Sequence, residues 1–222
     1  MWWDDERIKW YREAAERTVF HSSLASELET FLKKDERILE IGCGLGYVSE
    51  ILKKHGYDIK ATDIEEAAIT EAERRSSLDI FSILDADTPL PCSDTLLMIF
   101  FGRIRENGNL ERYLSNTGRI IYVLSEHRGQ SDTLRKKEGE PEDTIAFLDS
   151  IPDIRYQRYP FSADFSQYLE SAEDALKYIR RMYGEEKEEE YMSFLQKKDD
   201  GMIFPNTKHT SIFIIEKRRR LP

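Results

Sequence analysis

The run Ile38-Leu39-Glu40-Ile41-Gly42-Cys43-Gly44-Leu45-Gly46-Tyr47 limits the fold more than any other segment of this chain. A short apolar stretch leads into glycines at alternate positions, and an amphipathic stretch follows. Glycine tolerates positive φ and lets a ligand approach bare backbone. A helix opening just after such a turn presents unpaired N–H groups at its start. The pattern predicts a strand, a tight turn and a helix that together can hold an anionic or polar ligand.

The rest of the chain repeats the alternation of apolar strand and helix, which favours a parallel sheet covered by helices. Residues 5–33 read as helix in one or two pieces, with Ile8, Tyr11, Ala15 and Val19 at helical spacing. Strands are expected at 37–41, 58–62, 80–84, 96–101, 119–124, 154–159 and 210–216. Helices are expected at 47–54, 65–75, 107–116 and 141–150. Between the last two strands, an insertion at about 160–208 contains an amphipathic helix at 171–183 and an acidic helical stretch at 185–190, and no strand is expected there. The expected division is an N-terminal helical cap at 1–34 and a main domain at 35–222.

A dinucleotide fingerprint needs its third glycine at position 47, where this chain has Tyr47, so a nicotinamide enzyme is disfavoured. The second strand ends at Asp63-Ile64, where a carboxylate can accept from both hydroxyls of a ribose. A helix N-cap is the alternative for Asp63. The third strand delivers Asp85-Ala86, followed by Pro89-Leu90-Pro91, which can also be read as a plain turn. Acid, glycine turn, Asp63 and Asp85 thus fall at the tips of three successive strands, the edge where open α/β sheets bind ligands.

The arrangement Glu40-x-Gly42-x-Gly44-x-Gly46 resembles the first motif of the class I S-adenosylmethionine-dependent methyltransferases, and residues 36–125 follow that family well. The resemblance implies a Rossmann-like α/β fold: a seven-stranded, mostly parallel sheet between helices, its last strand antiparallel. It implies S-adenosyl-L-methionine as cofactor. Glu40, Gly42, Cys43, Gly44, Gly46 and Tyr47 would surround its methionine part, Asp63 its ribose, and Ile64, Asp85 and Ala86 its adenine. Phe101 and Gly102, after the fourth strand, would line the same crevice, with simple core packing the alternative for Phe101.

Methyl transfer needs alignment of nucleophile, methyl carbon and leaving sulfur more than it needs a particular side chain. A general base is needed only when the acceptor must lose a proton. His21 and His127 are the candidates for that role, each with an ordinary structural reading beside it. His55 reads as a helix-end residue and His209 as a loop residue. Trp2, Trp3, Trp10 and Tyr11 could cap an acceptor pocket, bury a helix face or form a homodimer contact. Phe161, Phe165 and Tyr168 open the insertion and carry the same alternatives.

A formal charge of −10 disfavours a phosphate backbone as partner, so a small-molecule acceptor is expected. The fourth strand ends Phe100-Phe101-Gly102-Arg103 and lacks the asparagine–proline–proline–aromatic motif of enzymes that methylate amino groups of nucleobases or of protein glutamine. RNA or protein methylation stays open through Arg103, Arg105, Arg112 and Arg119. A cofactor-binding module without catalysis stays open as well. The basic run at 217–220 reads as a solvated tail. Cys43 and Cys92 lack metal or disulfide spacing, no metal is expected, and no apolar run is long enough for a bilayer, so a cytoplasmic location is expected.

Overall fold

The structure is a computed structural model that describes residues 2–102, 104–106, 108–126, 141–198 and 201–218. Chain order runs α1 (Asp5–Arg17), α2 (Phe20–Glu29), β1 (Arg37–Ile41), α3 (Tyr47–Lys54), β2 (Asp58–Asp63), α4 (Glu66–Ser76), β3 (Phe81–Ile83) and β4 (Ser93–Ile99). It continues with α5 (Asn109–Asn116), β5 (Thr117–Glu126), α6 (Pro141–Asp149), β6 (Ile154–Asp164), β7 (Gln167–Leu169) and α7 (Ala172–Tyr183). The last elements are α8 (Glu188–Met192), β8 (Gln196–Lys198), β9 (Gly201–Phe204) and β10 (Thr207–Lys217). Among the described residues no helix is long and apolar enough to cross a membrane.

The main sheet has seven strands in the order β3-β2-β1-β4-β5-β10-β6. Strands β1 to β5 pair in parallel, and β10 runs antiparallel to both β5 and β6. Successive side chains of a strand face opposite sides of its sheet, and the central strands are apolar on both. Ile38, Leu97, Ile121, Val123, Ile212 and Ile214 pack against α2, α3 and α4. Leu39, Ile41, Leu96, Met98, Ile120, Tyr122 and Phe213 pack against α5 and α6. The helices therefore cover both faces and leave the strand ends free for chemistry.

The insertion differs from expectation. It holds a second sheet of three strands, ordered β7-β9-β8, where no strand is expected. These strands have three or four residues each, too few to display a period-two pattern. Strand β4 begins earlier than expected and stops at Ile99, because Phe100 turns into a left-handed conformation at φ 54°. Strand β6 extends to Asp164, so the insertion leaves the main sheet later than expected.

A third apolar cluster joins the insertion to the N-terminal helix: Trp10 with Leu169, Ala175, Tyr178, Ile179, Tyr191 and Phe204. The Trp10 indole N–H donates to Asp174 Oδ1 at 3.0 Å, and its ring stands edge-on to Tyr178 at 5.2 Å. Removing this side chain leaves a cavity and takes one hydrogen bond from the Asp174 carboxylate, which keeps the Glu170 N–H and Lys9. Trp10→Ala should cost about 3–5 kcal/mol of unfolding free energy, read by urea denaturation, with Trp10→Phe losing less. A Trp10→Ala protein as stable as the parent would show that α1 and the insertion do not depend on one another.

Candidate functional site

The glycine turn is built as its sequence requires. Gly42 and Gly44 have φ of +68° and +54°, values that L side chains rarely adopt, and Gly46 opens α3. The Cys43 N–H donates to the Thr62 carbonyl at 2.9 Å, and the Thr62 hydroxyl donates to the Glu40 carbonyl at 3.0 Å. The turn after β1 is thereby stitched to the end of β2.

Asp63 completes that stitch. Its carboxylate accepts from the Gly44 N–H at 2.8 Å and from the Glu65 N–H at 3.0 Å. It is buried and serves the glycine turn. The residue preceding α4 is Glu65, so Asp63 is not its N-cap. Glu40 is buried behind the turn, where the Ser49 hydroxyl donates to its carboxylate. Burial raises the Glu40 carboxyl to about 7, with the Ser49 bond opposing the rise and the neighbouring Asp63 charge adding to it. Burial, with the charges of Glu40 and Asp63, also pushes the Cys43 thiol up, so it stays protonated.

Aromatic side chains lie directly on this turn. A Cβ at Gly42 would overlap the Phe101 ring, and one at Gly44 would lie 2.9 Å from Cζ2 of Trp3. Trp3 is held there from below: the Glu65 carboxylate accepts from the Trp2 N–H at 2.7 Å and the Trp3 N–H at 3.0 Å. The Trp3 ring stands edge-on to Tyr11 at 5.2 Å. The Tyr11 hydroxyl meets His21 Nε2 at 2.8 Å, and the His21 ring stacks on Tyr47 at 5.0 Å. Sequence reasoning does not find the Glu65 anchor, since nothing local marks a carboxylate whose partners lie about sixty residues away.

Thus Glu40, Gly42, Cys43, Gly44, Gly46, Tyr47, Asp63 and Phe101 meet around one turn, joined by His21. Ile64 is 58% exposed, and Ile83, the register partner of Asp63 on the neighbouring strand, is 56% exposed. Asp85 is exposed and takes the Asp87 N–H at 2.9 Å, the bond of a local turn. The Ala86 carbonyl accepts from Arg112 at 2.7 Å, and the Gly102 carbonyl accepts from the Tyr122 hydroxyl at 2.7 Å. His127 and Arg103 lie outside the described residues. His55 pairs with Glu29 at 2.5 Å, and His209 sits 3.2 Å from the Ser162 hydroxyl in paired strands, where a loop is expected. Of the remaining arginines, Arg105 pairs with Asp143, Arg112 with Asp87 and Arg119 with Glu36.

Comparison with known proteins agrees with this architecture. A family model described as a methyltransferase domain matches residues 11–185. Comparison with curated proteins finds no match. Among solved structures, the plantazolicin methyltransferase BpumL in complex with SAH is 18% identical, covers 97% of this chain and 91% of its own, and has a TM-score of 0.55. Magnesium protoporphyrin IX methyltransferase from Synechocystis, solved with bound SAM, is 12% identical, with 89% and 78% covered and a TM-score of 0.52. The YcgJ protein of Bacillus subtilis is 14% identical, with 90% and 100% covered and a TM-score of 0.56. The matched span takes in the glycine turn, the buried carboxylates and the parallel half of the sheet, and the chain belongs to the methyltransferase-domain family, as a class I S-adenosylmethionine-dependent methyltransferase.

Proposed function

We propose that the chain binds S-adenosyl-L-methionine across the glycine turn and the tips of β2, β3 and β4, and transfers its methyl group to a small molecule. The observation that carries the reading is Glu40. A carboxylate buried beside a second carboxylate, with no cationic side chain of the described residues set against it, suits a ligand that brings its own ammonium. Asp63 fits as well. Each of its oxygens accepts one backbone N–H, and a carboxylate offers about four acceptor positions. Two remain for a ribose diol.

When bound, the cofactor supplies a methyl group already activated on a cationic sulfur. The chain's own residues then bind and align. Bare backbone at Gly42, Gly44 and Gly46, flanked by Cys43 and Tyr47, receives the methionine part, and Glu40 faces its ammonium. Ile64, Ile83, Asp85 and Ala86 frame the adenine. The two exposed isoleucines give a flat base an apolar surface to cover. Phe101 and Gly102 wall the crevice toward β4. Trp3 and Phe101 shift from the turn to admit the ligand. A small acceptor is favoured over a phosphate backbone because Arg105, Arg112 and Arg119 are each paired with a carboxylate and offer no basic surface.

Calorimetry with S-adenosylmethionine and S-adenosylhomocysteine, together with methyl release from a metabolite mixture, tests this reading. Asp63→Ala should weaken cofactor affinity by about 1–3 kcal/mol, the range for unmet buried partners. Unchanged affinity would remove Asp63 from the site.

Glu40 gives a pH signature. Its carboxyl is half-protonated near pH 7, and the ligand ammonium pairs only with the ionised form, so binding expels a proton below that pH. Affinity should therefore rise with pH up to about 7 and then level off, and Glu40→Gln should be weaker and flat. The same shift acts on folding with a definite sign. The folded chain holds a proton that the unfolded chain releases from the ordinary value of 4.5, so stability declines between about 4.5 and 7. Glu40→Gln should accordingly be more stable than the parent at pH 8, by about 1–3 kcal/mol in urea melts.

A further inference from the structure

The loop that joins β3 to β4 carries Asp85 and Ala86, and it is fastened at three points. At its start the Leu84 N–H donates to the Asp63 carbonyl at 3.0 Å, so the loop begins against the tip of β2. Near its end Leu90 is buried in one apolar cluster with Leu110 and Leu114 of α5. Between these anchors lies a short turn. The Asp85 carbonyl accepts from the Thr88 N–H at 3.0 Å and from the Thr88 hydroxyl at 2.6 Å. One Asp85 carboxylate oxygen accepts from the Asp87 N–H at 2.9 Å, and the other has no partner among the described residues.

The third fastening is a single side chain, Arg112 of α5. Its Nη1 donates to the Ala86 carbonyl at 2.7 Å, and its Nη2 lies 3.2 Å from Asp87 Oδ1. The same Nη2 donates to Asn109 Oδ1 at 2.9 Å, and the guanidinium sits 4.9 Å from the centre of the Tyr113 ring. Asn109 and Tyr113 thus hold the fork from the helix, and Ala86 and Asp87 hold it from the loop. Several donors in one rigid plane make this possible, which a lysine ammonium could not copy. The Asp87 side chain is 88% exposed, so the ion pair contributes little. The charged bond to the Ala86 carbonyl carries the fastening.

We infer that Arg112 is a positioning residue for cofactor selectivity: it fixes the turn at Asp85 so that the unpartnered carboxylate oxygen accepts from the exocyclic amino group of the adenine. This rests on the adenine placement proposed above and names the residue that sets its discrimination. Arg112 touches neither the cofactor nor the reacting atoms. Without it the Ala86 carbonyl loses its charged donor and Asp87 loses its cation. The turn then keeps only its internal bonds and its two distant anchors, and its orientation toward Ile64 and Ile83 is no longer fixed. A hydrogen bond is directional and weakens steeply when misaligned. Apolar cover of a flat base depends on area and is far less sensitive. The loss therefore falls on recognition of the amino group and much less on binding of the rest of the cofactor.

The test uses calorimetry on the full chain with two ligands, S-adenosylhomocysteine and its 6-deamino analogue, in which hydrogen replaces the adenine amino group. The parent should bind S-adenosylhomocysteine about tenfold more tightly than the analogue, as expected for one hydrogen bond to a charged acceptor. Arg112→Gln should cut that preference to about threefold or less, and Arg112→Lys, which keeps one charged donor, should fall between. The fall should come from S-adenosylhomocysteine, with the analogue affected less. A preference at the parent level in either variant overturns the inference. So does an equal weakening of both ligands at an unchanged ratio, which marks a merely structural role. A parent without the preference, or an Asp85→Ala protein that keeps it, overturns the adenine placement at Asp85 instead. Failure of both ligands to bind the parent overturns the cofactor reading, and the three results are separate.

Discussion

The contact between the Asp63 carboxylate and the Gly44 N–H organises the site. It joins the turn after β1 to the end of β2, one residue beyond the last backbone bond between them, from the Cys43 N–H to the Thr62 carbonyl. An acceptor with two oxygens can hold a turn and still present lone pairs outward. The energetic cost appears next door. Glu40 is left buried, and burial, with the neighbouring Asp63 charge adding to it, displaces its carboxyl toward neutrality. Active sites commonly hold groups in such unfavourable surroundings because the ligand relieves them.

The N-terminal segment packs directly on the glycine turn. Helix α1 touches the core through Tyr11 and the insertion through Trp10, and the residues before it reach the turn through Trp3. Ion pairs extend this bracing, with Lys9 on Glu170 at 2.9 Å and Arg181 on Asp4 at 2.6 Å. The pairs are exposed, so each contributes little, and the buried Trp10 cluster carries most of the docking. The insertion reaches α2 as well, where Phe165 packs on Phe20 at 5.3 Å and on His21 at 5.4 Å.

Much of this was legible in the residues because it is local. Strand β1 and helix α3 fall at their expected bounds, and glycines at alternate positions have no other economical explanation. The order of strand and helix was enough to give the sheet its class. What was not legible depends on distance along the chain. The short strands of the insertion pair with one another across tens of residues. Glu65 meets the amides of Trp2 and Trp3 from the far side of β1, and the rings around His21 come from helices α1, α2 and α3 and from the ends of β4 and β6. Asp85 fits its family motif in sequence, yet its hydrogen bonds close a local turn. A motif fixes residue types at a spacing and does not show what else those residues bind.

Strand β10 has a consequence for biosynthesis. It lies between β5 and β6, with Ile212, Phe213 and Ile215 fully buried, and it reaches the ribosome exit after both neighbours. Until it emerges, β6 has no partner in the main sheet among the described residues, and the insertion that follows β6 hangs from that edge. Exposed edges invite association with other chains. The nascent protein must therefore pass through a stage in which its parallel half is complete and its antiparallel half is open, and a chaperone that shields strand edges would have its largest effect in that interval.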